Sequence, residues 1–153
     1  MTASIRIEGM ERIQKKLDSM ANQAYMEGAM TAAVTIIHTD IAQYPDATEA
    51  NNPANKRWYE RGYGSRYRRK DGSIGGKRTS QTLGRRWTKA VQNRGTRGVV
   101  GNNATYAPYV QDAERQAAAH TAHGWDTIQA VVGRQKGRVV QLLQAAIHKV
   151  LNQ

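Results

Sequence analysis

The sequence predicts an α+β fold in a single domain over residues 1–153. A small antiparallel sheet is packed by an N-terminal helical pair and a long C-terminal helix, and a long basic loop is inserted at about residues 45–80. Three observations predict it. Apolar and polar residues alternate at the N-terminus, and β-compatible stretches flank a glycine-containing turn at residues 93–98. Apolar residues recur every three or four positions in two regions near the chain ends. The stretch between follows neither period and is rich in Gly, Asn and Arg.

Residues 4–8 place Ile5 and Ile7 on one side and Arg6 and Glu8 on the other, as a half-buried strand ended by Gly9. Met10, Ile13, Leu17 and Met20 form the first helical stripe. Met26, Met30, Ala33, Ile37 and Ile41 form the second, which stops near Tyr44 because Pro45 disfavours helix at the residue before it. His38 lies beside this stripe and reads as an ordinary helix side chain.

Residues 45–57, "PDATEANNPANKR", read as loop. In "RWYERGYGSRYRRKDGSIGGKR", residues 57–78, a turn is expected at Asp71 and Gly72 and flexibility at Gly75 and Gly76. "TLGRRWTKAVQ" is β-compatible, with Leu83, Trp87 and Val91 as its apolar members, and pairs with "RGVVGNN" through "NRGTRG". Tyr106, Tyr109 and Val110 read as an edge strand or turn around Pro108. Residues 113–119 are helix-prone, with a break at Gly124.

The last helix is expected to be capped by Asp126. Ile128, Val131, Val132, Gln135, Val139, Leu142, Leu143, Ala146 and Val150 make its stripe. Gly133 and Gly137 mark a kink or a close helix crossing.

Charge divides the chain. Residues 54–97 hold fourteen Lys and Arg against Glu60 and Asp71, so this window carries +12 of a formal net charge of +11 and the flanks sum to −1. That asymmetry points to an anionic partner. Hydrophobic residues are 39% of the chain, and there is no cysteine for a disulfide or a thiolate metal site. No apolar run reaches the ~18 residues of a membrane span, and no apolar h-region opens the chain.

Motifs for catalysis or cofactors are not found. A P-loop register anchored on Gly76 and Lys77 puts Asp71 where its first glycine belongs and Arg78 where its hydroxyl belongs. His120 and His123 are three apart, but the acids Asp112, Glu114 and Asp126 lack zinc-ligand spacing. His38 and His148 have no catalytic context. No catalytic, metal or cofactor-binding residue is assigned. The basic segment is left with two readings. Trp58, Tyr59, Tyr63 and Tyr67 interleaved with arginines suit sequence-independent nucleic-acid contact, and they suit a loop docked on another protein.

The order of the pieces resembles the neck or tail-completion family of long-tailed phages, small proteins at the head–tail joint. Its recurring motifs fall on residues 7–10, "IEGM", on Thr82 and Leu83, and on Val100, Gly101 and Asn102 through Tyr106 and Ala107 to Tyr109 and Val110. In that family Gly9, Leu83, Val100, Gly101, Asn102, Tyr106 and Tyr109 would be structural. The resemblance implies a non-enzymatic virion protein of the neck, of tail completion or of the tail terminator, forming a homo-oligomeric ring with a hexamer as the expected count. It would adjoin head-closure or connector proteins on one side and tail proteins on the other. It also implies non-specific contact with phage DNA in the lumen, no cofactor and no membrane. On this reading the basic segment is an inter-subunit or lumen-facing loop carried by Trp58, Tyr59, Arg61, Tyr63, Arg66, Tyr67, Arg68, Arg69, Lys70, Lys77 and Arg78.

Overall fold

A computed structural model describes residues 2–6, 20–45, 49–79 and 81–152. Strand β1 (Thr2–Arg6) is followed by helix α1 (Met20–Ile41) and a single 3-10 turn (Glu49–Asn51). Strands β2 (Arg57–Glu60), β3 (Gly64–Arg68) and β4 (Ile74–Gly75) come next. A helical turn α2 (Thr82–Arg85) leads into strands β5 (Trp87–Gln92) and β6 (Arg97–Asn102). Short helices α3 (Ala107–Gln111) and α4 (Ala118–Ala122) precede α5 (Ile128–Leu151). The fold is α+β with two small antiparallel sheets, ordered β1-β6-β5 and β2-β3-β4.

The N-terminal alternation does produce a strand, paired with Ala3 opposite Val100 and Ile5 opposite Gly98. Ile7, Glu8, Gly9 and the first helical stripe lie outside the described residues, apart from Met20 at the start of α1. The second stripe forms as expected: Met26, Met30, Ala33, Ile37 and Ile41 are all buried. Full burial of a Met or Ile side chain is worth roughly 1.5–3 kcal/mol each. Helix α1 packs on α5 and also on β5 and β6, which is why Val34, outside the single stripe, is buried too.

The two long helices run antiparallel. Met26 near the start of α1 clusters with Ala146 and Val150 near the end of α5. At the other end, Asp40 of α1 receives hydrogen bonds from Arg134 and Gln135 of α5. Gln135 is the polar break in the α5 stripe, and its Nε2 donates to Asp40 Oδ2 at 2.7 Å. At 24 residues α5 is about 36 Å long. Its cap is Thr127, whose hydroxyl accepts from the Ala130 N–H at 3.2 Å, in place of the expected Asp126. Asp126 instead pairs with Arg134 at 2.8 Å. Gly133 and Gly137 face open space, so they mark no close helix crossing.

The glycine that lets α1 approach the sheet is Gly98. An added Cβ there would collide with Val34 and come within 2.7 Å of Met30 Sδ. Gly101, three residues on, lies between Thr2 and Thr88, on the opposite face of β6. Gly95 in the hairpin turn, at φ +79°, sits 2.5 Å from the α1 backbone at Met26 and Glu27 on the same basis.

Three local expectations are corrected. Thr82 and Leu83 are helical in α2, and the strand begins only at Trp87. Tyr106 to Val110 enters a helical turn, α3, with Pro108 in its first turn, where a proline's missing N–H costs nothing. Residues 113–115 form a turn, and the helix starts at Ala118. Among the described residues, no helix is long and apolar enough to cross a membrane.

Candidate interaction surface

The basic segment was expected as loop, and the structure folds its centre into a β-meander. The order comes from one large side chain and its partners. Trp58 on β2 is 2% exposed, opposite Arg66 in the β2–β3 register. Arg66 donates from Nε to Glu60 Oε2 at 2.9 Å, and its guanidinium carbon stands 4.1 Å from the Tyr63 ring centroid. Arg68 lies 5.9 Å from the Trp58 ring and reaches the Pro53 carbonyl at 3.3 Å. Arg69 stands 5.8 Å from Tyr67.

The β3–β4 turn is closed by Asp71, which accepts the Ser73 N–H at 2.9 Å and the Ser73 hydroxyl at 2.7 Å. These bonds hold the Asp71 carboxyl below the usual range. Gly75 is buried because the Tyr67 ring lies directly over it, leaving no room for a Cβ. The expectation of a pliant glycine there is reversed. The meander exposes Tyr67, at 42%, beside Arg57 on one face and Ile74, at 46%, beside Arg68 on the other, with Arg69 and Lys70 exposed in the turn between β3 and β4. Lys77 and Arg78 are exposed beyond β4, and Arg61 is exposed in the β2–β3 turn.

A second feature joins the meander to the main body. Leu83, Ala104, Ala107, Val110 and Trp125 form a separate buried cluster with Tyr44 and Tyr59 against it. Trp125 meets Tyr44 and Tyr59 edge to face, at centroid distances of 5.1 and 5.7 Å. His120 approaches the same indole at 6.3 Å. His123 is held by Asn51, whose Oδ1 lies 3.0 Å from Nδ1 and whose Nδ2 donates to the His123 carbonyl at 3.0 Å.

These rings surround a cavity of about 520 Å³ that also touches Tyr106 and Tyr109, 44% and 58% exposed. Ser65, Thr79, Gln81 and Thr82 add hydroxyl and amide groups to its wall, and among the described residues neither a carboxylate nor a Lys or Arg lines it. Burial pushes the Tyr59 hydroxyl up to about 12 and lowers the His120 pKa, with His123 adding to the latter. Tyr59 is therefore a protonated donor and His120 a neutral imidazole at pH 7.

A polar cavity of about 680 Å³ lies between the end of α1 and the start of α5. Arg134 crosses it, pairing with Asp40 at 2.9 Å and Asp126 at 2.8 Å. Arg134, Asp40 and Asp126 are thus partnered inside the fold, and Arg138 also lines the cavity.

The two groups of residues singled out in the sequence thus meet in part. Tyr59 of the basic segment faces the same cavity as Leu83, Tyr106 and Tyr109 of the family-like motif. Val100 and Asn102 are buried, and Gly9 lies outside the described residues. Tyr44, Trp125, His120 and His123 complete the aromatic wall and were not foreseen as a group. Their only local signal is the aromatic and histidine content of "HTAHGW", and Tyr44 is remote in sequence. Among the described residues no group of three or more His, Asp or Glu is placed to hold a metal ion. No protein-family profile, curated protein or solved structure matches this chain.

Proposed function

We propose that this chain is a non-enzymatic structural subunit of the head–tail joint of a long-tailed phage, acting in the neck, in tail completion or as a tail terminator and assembling into a homo-oligomeric ring within the virion. The observation that carries the reading is the outer surface of the β2-β3-β4 meander. There Tyr67 is exposed on one face and Ile74 on the other, with the Arg69 and Arg68 guanidiniums set over Tyr67 and Trp58. Arginines and tyrosines are the residues on which protein interfaces concentrate their binding energy. Stacking holds these guanidiniums in place before a partner arrives, which lowers the entropy lost on docking. The order of motifs along the chain, with "VGN" before "YAPYV", supports the phage assignment.

On this reading the partner is another subunit or an adjoining ring with acidic residues opposite Arg57, Arg68, Arg69 and Lys70. Exposed ion pairs alone supply only ~0–1 kcal/mol each, so Tyr67 and Ile74 supply the apolar part of the contact. Electron microscopy of the purified protein and of intact particles tests it. Rings are expected for the wild type, and Tyr67→Ala is expected to abolish them with every charge retained. Monomers at all concentrations, together with particles lacking the chain, would sink the proposal.

A further inference from the structure

We propose that the aromatic cavity between the meander, α2, α3 and α4 is a binding site for one unpaired nucleotide of a single-stranded nucleic acid. The base would lie among Tyr59, Tyr106, Tyr109 and Trp125. The phosphate would lie toward Arg61 and Arg85.

Several observations converge on that ligand. A volume of about 520 Å³ is of the size that small-molecule sites use, ~300–1,000 Å³. Aromatic faces stack any base, whereas apolar aliphatic walls would not select a planar ring. Ser65, Thr79 and Gln81 bring to the lining hydroxyl and amide groups that can donate to and accept from a base edge. The Tyr59 hydroxyl remains protonated and His120 remains neutral, so neither adds charge to the wall.

Charge then decides between ligands that like aromatic walls. A cation would be a natural guest of an aromatic cage. Here, however, the guanidinium of Arg61 already stands 5.0 Å from the Tyr44 ring centroid. Arg61 and Arg85 both lie close enough to lower the Tyr44 pKa against the upward push of burial. With no carboxylate among the described residues of the lining, a second cation would be repelled, and a phosphate at the same edge would be attracted. The rim tyrosines, Tyr106 and Tyr109, are exposed and within reach of an entering base. A duplex base is unavailable to such a cavity because its faces are already stacked.

This goes beyond the ring reading and stands apart from it: a ring can form with the cavity empty, and a monomer can take a nucleotide. The test uses the full chain and a fluorescein-labelled single-stranded DNA dodecamer, its duplex, and an abasic strand of the same charge, at one fixed ionic strength. The single strand is expected to bind more tightly than either control. Tyr109→Ala and Tyr106→Ala, both at exposed positions, should each weaken it by about 5- to 150-fold and leave the abasic strand unchanged. Tyr109→Phe should keep wild-type affinity. Equal affinity for the abasic strand or the duplex would overturn the proposal, as would alanine variants that bind normally. Loss of self-association in Tyr109→Ala with unchanged DNA affinity would make the cavity a protein socket instead.

Discussion

Asn102 donates its side-chain amide to the main-chain carbonyl of Leu83 at 2.9 Å. Its Oδ1 accepts the Ala104 N–H at 2.8 Å, so one buried side chain ties the end of β6 to α2 and to the chain leading into α3. Replacing it leaves the Leu83 carbonyl with the Arg86 N–H alone, at 3.2 Å, and the Ala104 N–H to be satisfied elsewhere. Asn102→Ala should lower unfolding stability by about 1–3 kcal/mol in a denaturant titration. Asn102→Asp should also destabilise, because a carboxylate has no donor for Leu83. Wild-type midpoints in both variants would remove this tie from the account.

Glycines in β6 and α5 should respond in opposite directions. Gly98→Ala forces a methyl into Val34 and Met30 and should cost about 1–3 kcal/mol. Gly133→Ala adds a methyl in open space on an uninterrupted helix and should stabilise by roughly 0.5–1 kcal/mol. Thermal melts of the two variants check the sign as well as the size. A destabilised Gly133→Ala would place an unseen neighbour at that face of α5.

Acid should act through Asp40. Burial pushes its carboxyl up, but hydrogen bonds from Arg134 and Gln135, with the Arg134 charge, outweigh this and hold it below the usual range. A depressed folded-state pKa gives stability that is fully present above the unfolded value of about 3.9 and is lost as pH falls through the folded value. Melting temperature should therefore drop below about pH 4. Asp40→Asn should be less stable at neutral pH and less sensitive over that acid range. An unchanged acid slope in Asp40→Asn would assign it to other carboxylates.

Trypsin should distinguish the meander from a loop. Arg57 and Arg66 sit in paired strands, whereas Arg69, Lys70, Lys77 and Arg78 are exposed in or beyond the β3–β4 turn. Cuts at the latter four are expected before cuts after Arg57 or Arg66. Early cleavage at Arg57 would mean that the β2–β3 pairing opens readily in solution.

Periodicity in the sequence by itself determined β1 and the apolar faces of α1 and α5, because burial of one face writes a period of 3.6 or 2 into a single continuous segment, and the glycine turn between two β-compatible stretches gave the β5–β6 hairpin and with it the α+β class. It could also locate Asp71 and Gly72 as a turn, since the Asx geometry there is local. The meander was not legible: β2, β3 and β4 are only four, five and two residues long, and Trp58 supplies their one large buried side chain. Nor did any local pattern separate Gly98 from Gly101, because the difference between them is which face of β6 meets Met30 and Val34. The aromatic cavity belongs wholly to the tertiary structure. Tyr44, Tyr59, Tyr109 and Trp125 come from four separated segments, and only the packing of the meander against α2, α3 and the chain before α5 brings their rings to one wall.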